Sequence, residues 1–503
     1  MSQHNRQQHW EYARSTTFDA AILGGGINGA CLYDRLCAAG YKVLLADQGD
    51  FAAGTSQASG MMIWGGLLYL RNLNVLSVYR FSSARDAMIR NLPASIAPTP
   101  VRYIPSPEDI RNPRLVLAGL YFYWMLGHFR RRLPGRGREF REHRLVRNSH
   151  DLESLHYEEG MLRTSDARFV LHWIAPHQTP EQVPLNYCAV TGGGYDATEK
   201  SWRLELRDTL GDRSAEVRSR WVVNCAGAWA DRVNERFGIE TPYKHVLSKG
   251  VYLGAHRPPE HETMLIFEMG QQGDAITYTP WGPISLWGPT ETRAEDLDAG
   301  RVVTAGDIHF LLEQAERNLV KPPGKADIVS FRCGLRPLAV PKSFERNCYT
   351  LDISRRHRVV QDSGLPWISL YGGKITGCIA TAEEIAARIV RSVPPPTAPA
   401  NDGLRTESPI EHVNFPGLTQ KFPSAQWCRD HEFCHTLDDY LRRRTNIAQW
   451  VAREGLGRRD ENLAEINSIA LTLNHGDHER AAHSVRRYRE RVWNDFDSVL
   501  ARL

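Results

Sequence analysis

No cysteine pair in this 503-residue sequence stands at metal-binding or redox spacing. The nine cysteines, at 31, 37, 188, 225, 333, 348, 378, 428 and 434, are scattered and odd in number. Neither a zinc site nor a disulfide framework is indicated, which suits a reducing cytoplasm. An excess of one charge is lacking too: 62 basic against 58 acidic residues leave +4, no argument for a nucleic-acid partner. Long apolar runs are also missing. The longest, Leu115 to Phe129, has fifteen residues, and a membrane-spanning helix needs about 20. Met1 to Thr17 is polar, without an apolar core or cleavage-like site, and reads as a loose tail rather than a signal peptide. What remains is an ordinary globular composition, 42% hydrophobic and 24% charged with mean hydropathy −0.42. The length exceeds one core, so two or three domains are expected.

The most informative stretch is Phe18 to Asp47. An apolar run leads into Gly24-Gly25-Gly26-Ile27-Asn28-Gly29, a helical stretch follows to Ala39, Gly40 stops it, and a second apolar run ends at Asp47. This is a β-α-β unit with glycines at G-x-G-x-x-G spacing. Gly24 permits the tight turn, Gly26 lets backbone approach a pyrophosphate, and Gly29 lets helix pack on strand. The helix N-terminus suits phosphates, and Asp47 suits ribose hydroxyls. The unit alone fits either NAD or FAD. A loop of small and hydroxyl residues, Asp50 to Gly60, then suits close passage past a flat ligand.

These motifs, with others further on, resemble the FAD-dependent (quinone-linked) glycerol-3-phosphate dehydrogenases of the D-amino-acid-oxidase superfamily. The segments are G-G-G-I-N-G-A from Gly24, Thr55-Ser56-Gln57-Ala58-Ser59, Gly65-Gly66-Leu67-Leu68-Tyr69-Leu70, Ser165-Asp166-Ala167-Arg168, Val222-Val223-Asn224-Cys225-Ala226-Gly227-Ala228-Trp229, Cys333-Gly334-Leu335-Arg336-Pro337-Leu338, Tyr371-Gly372-Gly373-Lys374-Ile375-Thr376 and Thr436 to Thr445. They run in order from about residue 18 to 450. The resemblance implies FAD as cofactor, bound by Gly24, Gly26, Ile27, Asn28, Gly29, Asp47, Gln48, Thr55, Ser56, Ser59, Ala226, Gly227, Gly373, Lys374, Ile375 and Thr376. The residues themselves also support flavin. Trp221 to Gly227 reads as a third strand ending in small residues, and Gly372-Gly373-Lys374 precedes a helix over 379–390. Such a helix start, with a lysine nearby, suits a ring that becomes anionic on reduction. A plain NAD enzyme, the remote alternative, needs neither segment.

The expected fold is a Rossmann-like α/β FAD-binding domain of the glutathione-reductase type, an antiparallel substrate domain and a small C-terminal helical domain. The FAD-binding part takes residues 18–90, 151–240 and 350–393, and the substrate part takes 91–150 and 241–349. A stiff proline linker covers 394–408, and a helical cap with solvated basic runs covers 409–503. The Leu115–Phe129 run, closed by Arg130-Arg131-Arg132, is either a buried helix or an element dipping into a membrane surface. A peripheral position on the inner face of the cell membrane therefore stays open, as does a second copy of the chain as partner.

The expected reaction is hydride transfer from a carbon bearing OH or NH₂ to flavin N5. Arg336 is the expected substrate anchor, Lys374 the second cation, and Tyr252, Tyr69 and Thr290 complete the reacting end. Arg346 falls near another family arginine. The sequence departs from the family where its lysine, histidine and arginine become Met61, Trp64 and Leu68, where a second histidine becomes Tyr252, and where G-T-T-D becomes Gly288-Pro289-Thr290-Glu291. A phosphate dianion missing one charge-assisted partner forfeits about 1.5–3 kcal/mol. A substrate other than glycerol 3-phosphate is therefore expected. The alternatives are a genuine glycerol-3-phosphate dehydrogenase, with Arg71 or Lys249 supplying the missing groups, and a flavin-binding protein without turnover. Oxygen, a quinone or a carrier protein all fit as electron acceptor. No metal is expected.

Overall fold

The computed structural model describes residues 3–105, 113–137, 141–147, 154–269, 274–345, 349–350, 353–394 and 409–503. Arg346, Cys348, the Arg71 side chain and nearly all of the linker lie outside this description. The N-terminal segment is a helix, α1 (Gln3–Ser15), not a loose tail. Trp10 and Ala13 are buried, and Arg6 donates to Asn186 O at 2.7 Å and Asp208 Oδ1 at 2.8 Å. Its anchors lie about 180 residues away, so its own polarity gave no sign of them.

Strand β1 (Thr17–Leu23), helix α2 (Ile27–Ala38) and strand β2 (Val43–Ala46) form the expected unit. The chain continues through β3 (Met62–Ile63), α3 (Val75–Asn91), β4 (Ile96–Ile104), α4 (Pro113–Leu126), β5 (Gly135–Gly137), β6 (Ser154–Leu162) and α5 (Asp166–Ile174). Then come β7 (Gln182–Leu185), β8 (Cys188–Asp196), β9 (Ser201–Asp208), β10 (Ser214–Asn224) and α6 (Ala230–Arg236). The second half holds β11 (Tyr243–His256), β12 (Met264–Met269), β13 (Asp274–Trp281), β14 (Ile284–Gly288), β15 (Thr292–Ala294), α7 (Ala305–Asn318), β16 (Ile328–Pro341), β17 (Arg358–Gln361), β18 (Trp367–Tyr371) and α8 (Cys378–Ser392).

Two sheets organise these elements. In the first, β7, β2, β1, β10 and β18 lie side by side in parallel, with β17 antiparallel at one edge and the β8–β9 hairpin extending from β10. Alternate residues of β1 serve its two faces, as a two-residue pleat requires. Ala20 and Ile22 pack with α2, α5 and α8, while Ala21 and Leu23 pack with Trp10, Trp202 and Trp367. The second sheet runs β15-β11-β14-β13-β12-β4-β6-β3, with β16 on β11 and β5 on β6. Only its β12–β4 pairing is parallel among the described strands. The long β11–β16 ladder sets Ser248 opposite Arg336 and Gly250 opposite Gly334. The fold is thus the expected Rossmann-like α/β unit, with a largely antiparallel second sheet and a helical C-terminal region.

Two further expectations differ from the structure. In the C-terminal region, Arg443 and Arg444 are buried in ion pairs rather than solvated, though Arg486 and Arg487 are exposed as expected. The second correction concerns α4, which is not a buried helix. Of its residues only Leu120 and Tyr123 are buried, while Leu115, Tyr121, Phe122 and Met125 are exposed, as is Phe129 just beyond. Among the described residues no helix is long and apolar enough to cross a membrane.

Candidate active site

The glycine motif sits at the C-terminal edge of the parallel strands, where nucleotide folds bind ligand. Gly24 leaves β1 at φ +109°, and a Cβ there would meet Cys225 O at 2.6 Å. A Cβ on Gly29 would stand 2.0 Å from Gly24 O. These two glycines are the contact between helix and strand. Gly26 has no side chain to cap α2, and Ser56 Oγ accepts the Ile27 N–H at 3.0 Å. The remaining first-turn N–H groups have no partner within a helix, which suits a phosphate.

Asp47 accepts from Gly25 N at 2.7 Å and Gly49 N at 2.9 Å. Burial pushes its pKa up to about 6 against the lowering effect of those two bonds. Its first task is therefore to hold the glycine turn, with lone pairs left for ribose hydroxyls. Gly25 was not singled out from sequence, yet a Cβ there would strike Phe51 at 2.3 Å.

The expected cofactor residues converge on one cavity of about 1350 Å³, above the usual size for small-ligand sites. Gly24, Gly26, Ile27, Asn28, Asp47, Gln48, Thr55, Ser56, Ser59, Ala226, Gly227 and residues 373–376 all line it; Gly29 sits behind, in the helix–strand contact. Several hydroxyls nonetheless serve the protein. Thr55 Oγ1 donates to Leu335 O at 2.5 Å, Ser59 Oγ to Asp166 Oδ2 at 2.8 Å, and Thr376 Oγ1 to Trp64 O at 3.1 Å. Asp166 also pairs with Arg332 at 2.7 Å, a link with no local signature in sequence.

The donor set fits a flavin dinucleotide. The cradle tolerates no Cβ at Gly24 or Gly29. Gly373, at φ +113°, lies against the Asn28 amide, and Asn28 Oδ1 is buried with no hydrogen-bond partner among the described residues.

Trp64, Leu68, Tyr252, Thr290, Glu291, Arg336 and Arg355 line the same cavity as Lys374. Arg336 Nη1 donates to Glu291 Oε2 at 2.8 Å, and Arg355 Nη2 lies 3.2 Å from the same oxygen. Ser248 Oγ and Thr350 Oγ1 donate to Glu291 Oε1 at 2.5 and 2.7 Å. Burial raises the Glu291 pKa, but Arg336, Arg355 and the two hydroxyls outweigh it and hold the carboxyl below its usual range. The expected anchor is therefore partly neutralised. Arg355 was missed from sequence; the Arg355-Arg356 pair just before β17 was the available signal.

Lys374 Nζ lies 4.2 Å from the centroid of Tyr69 and 5.2 Å from that of Phe81. Burial lowers its pKa to about 7. Tyr69 thus lies beneath Lys374 rather than in the cavity wall. The Tyr252 hydroxyl lies against Gly60, where a Cβ would come within 2.5 Å of it, and burial raises its pKa. The Thr290 hydroxyl is occupied, accepting the Val251 N–H at 3.0 Å. Lys249 is bound to Asp307 at 2.6 Å. Met61 is fully buried in the core. No metal-holding cluster occurs among the described residues.

Comparison with known proteins points to the same fold and cofactor. The sequence profile of the FAD dependent oxidoreductase family (DAO) matches residues 19–388. D-erythritol 1-phosphate dehydrogenase of Brucella abortus is 29% identical over 407 residues, covering 75% of this chain and 73% of that one. Glycerol-3-phosphate dehydrogenase of Pseudomonas tolaasii is 24% identical, covering 74% and 71%. Among solved structures, glycerol-3-phosphate dehydrogenase from Bacillus halodurans, complexed with FAD, shares the fold with TM-score 0.69 at 18% identity, over 99% of this chain and 97% of that one. The chain belongs to the FAD dependent oxidoreductase (DAO) family, and its cofactor is FAD.

Proposed function

We propose that this dehydrogenase or oxidase acts on a hydroxy compound larger or less charged than glycerol 3-phosphate, carrying one anionic group. The observation that carries the reading is the Glu291 carboxylate shared by Arg336 and Arg355. Two guanidiniums facing one carboxylate leave that triad a single net positive charge, beside Lys374 whose burial lowers its pKa to about 7, which suits a monoanion better than a dianion. FAD supplies the hydride acceptor. Arg336 and Arg355 hold the anionic end of the substrate, and Tyr252 orients its hydroxyl. Trp64 and Leu68 give the reacting carbon an apolar wall and keep water away from it. The names of the Brucella and Pseudomonas relatives refer to phosphorylated polyols, which favours an alcohol over an amine.

Anaerobic bleaching of the bound flavin tests this directly. The panel comprises longer-chain polyol phosphates, hydroxy acids, amino acids and glycerol 3-phosphate. Rapid bleaching by a hydroxy acid, with glycerol 3-phosphate and the other dianionic polyol phosphates slow, is the expected pattern. Turnover of glycerol 3-phosphate at a rate normal for a flavin dehydrogenase refutes the changed-substrate reading.

We also propose that a lipid surface is a partner, and that the chain lies peripherally on the inner face of the cell membrane. The exposed side chains of α4 and Phe129 continue to Leu76 and Tyr79 of α3, where Tyr79 meets His128 with ring centroids 5.2 Å apart. Arg130 and Arg132 are exposed beside them, a pattern suited to anionic headgroups. Arg131 is already paired with Asp86 at 3.2 Å. Replacing Arg130 and Arg132 by Glu should abolish flotation with anionic liposomes. Equal flotation of variant and wild type removes this reading.

A further inference from the structure

Residues 47–49 and 52–56 form one wall of the cofactor cavity, and local bonds such as Gly49 N–H to Asp47 Oδ1 at 2.9 Å and Ala53 N–H to Asp50 O at 3.1 Å shape only its individual turns. Support comes from about 390 residues further along the chain. Asp50, fully buried, accepts Arg443 Nε at 2.5 Å and Arg444 Nη1 and Nη2 at 2.5 and 2.9 Å. Asn186 Nδ2 adds a fourth bond at 2.8 Å. Arg443 reaches onward: its Nη1 donates to Gln57 Oε1 at 3.2 Å, and Gln57 Nε2 donates to Ala53 O at 2.6 Å. Its Nη2 is held by Asp439 at 2.7 Å. Phe433 meets Phe51 edge-on, with centroids 5.2 Å apart, and Phe51 in turn presses on Gly25 of the glycine turn.

Two acids, Asp50 and Asp439, face two arginines, so the cluster is balanced and leaves no charge over for a ligand. Neither Arg443 nor Gln57 lines the cavity, whereas Thr55, Ser56 and Ala58 around them do. Ser56 Oγ accepts the Ile27 N–H at the start of α2. Any drift of the segment is therefore felt at the helix end where the cofactor's phosphates bind.

We propose that Arg443 is a positioning residue for FAD: through Asp50 and Gln57 it sets the cavity-lining segment 47–57, and this makes the C-terminal helical region part of the cofactor site. A merely structural ion pair would stabilise the fold without altering flavin affinity.

The test compares Gln57→Met, Arg443→Lys and Arg443→Met with Arg453→Met. Arg453 serves as control because it is paired with Asp460 and Asp497 of its own region, with no bond to segment 47–57. Each protein is stripped of flavin and titrated with FAD by fluorescence quenching, with near-UV circular dichroism and thermal melting of the apoprotein alongside. Gln57→Met, which leaves no buried charge unpaired, is expected to weaken FAD binding by about threefold to tenfold, and Arg443→Met by about tenfold or more. Arg453→Met should change FAD affinity by less than about twofold, whatever it does to melting. Wild-type affinity in Gln57→Met and in the folded Arg443 variants overturns the proposal. So does an equal loss of affinity in Arg453→Met. If Arg443→Met fails to fold, Gln57→Met and Arg443→Lys decide.

Discussion

Replacing Gly29 by alanine is expected to give a colourless protein. The added Cβ would lie 2.0 Å from Gly24 O and 3.2 Å from Gly24 C, both backbone atoms that no rotamer change can move aside. Helix α2 would have to lift off β1, and the strain falls on the turn that binds the pyrophosphate. Overpacking of this kind costs about 1–3 kcal/mol and more where backbone is fixed. An FAD affinity lowered by about a hundredfold, equivalent to about 3 kcal/mol, is the expected result. Gly119, inside α4, supplies the contrast, because a Cβ there meets nothing within 4 Å. Gly119→Ala should raise stability by about 0.5–1 kcal/mol and leave the flavin bound. Absorbance of the purified variants and their thermal melting check both outcomes. A yellow Gly29→Ala protein with wild-type affinity would show that helix and strand can separate without disturbing the site.

The parts legible in sequence were those whose physics is local. The β1-α2-β2 unit, the strand Trp221 to Asn224 and helix α8 all carry their own periodicity, and the glycine spacing states the turn it makes. Pairings across the chain were not legible. Nothing near Asp50 announces Arg443 or Arg444, and the basic run that reads as solvated is neutralised only once residues 390 positions apart meet. Hydroxyls at Thr55, Ser59 and Thr290 suggested ligand contacts, yet backbone and carboxylate groups take them up, because a tight small-residue loop must satisfy its own polar atoms first. Tyr69 was expected at the reacting end. The turn that begins at Gly66, in the left-handed region at φ +89°, carries its ring beneath Lys374 instead. The fifteen-residue apolar run from Leu115 to Phe129 fits either environment. Only the neighbours that cover Leu120 and Tyr123, and leave the rest bare, decide between them.

Glu291→Gln is expected to change which anion the enzyme prefers. Glutamine keeps the size of the side chain and an acceptor for Ser248 and Thr350, but removes the charge that Arg336 and Arg355 share. With the carboxylate gone, two like charges face the cavity, so the ligand-free protein should melt lower. A charge-assisted bond at such a site amounts to about 1.5–3 kcal/mol, or about tenfold to hundredfold in affinity. The variant should therefore gain about tenfold in kcat/KM for dianionic phosphate substrates relative to monoanionic carboxylates. Inorganic phosphate, which stabilises in proportion to its binding, should raise the melting temperature of the variant more than that of the wild type. Arg336→Met should act in the opposite sense, since the remaining Arg355 is then cancelled by Glu291 and anion affinity falls for both classes. If Glu291→Gln folds, binds FAD and shows neither a larger phosphate-induced shift nor a changed preference, the charge of Glu291 does not set specificity. The site would then discriminate by the shape that Trp64 and Leu68 impose.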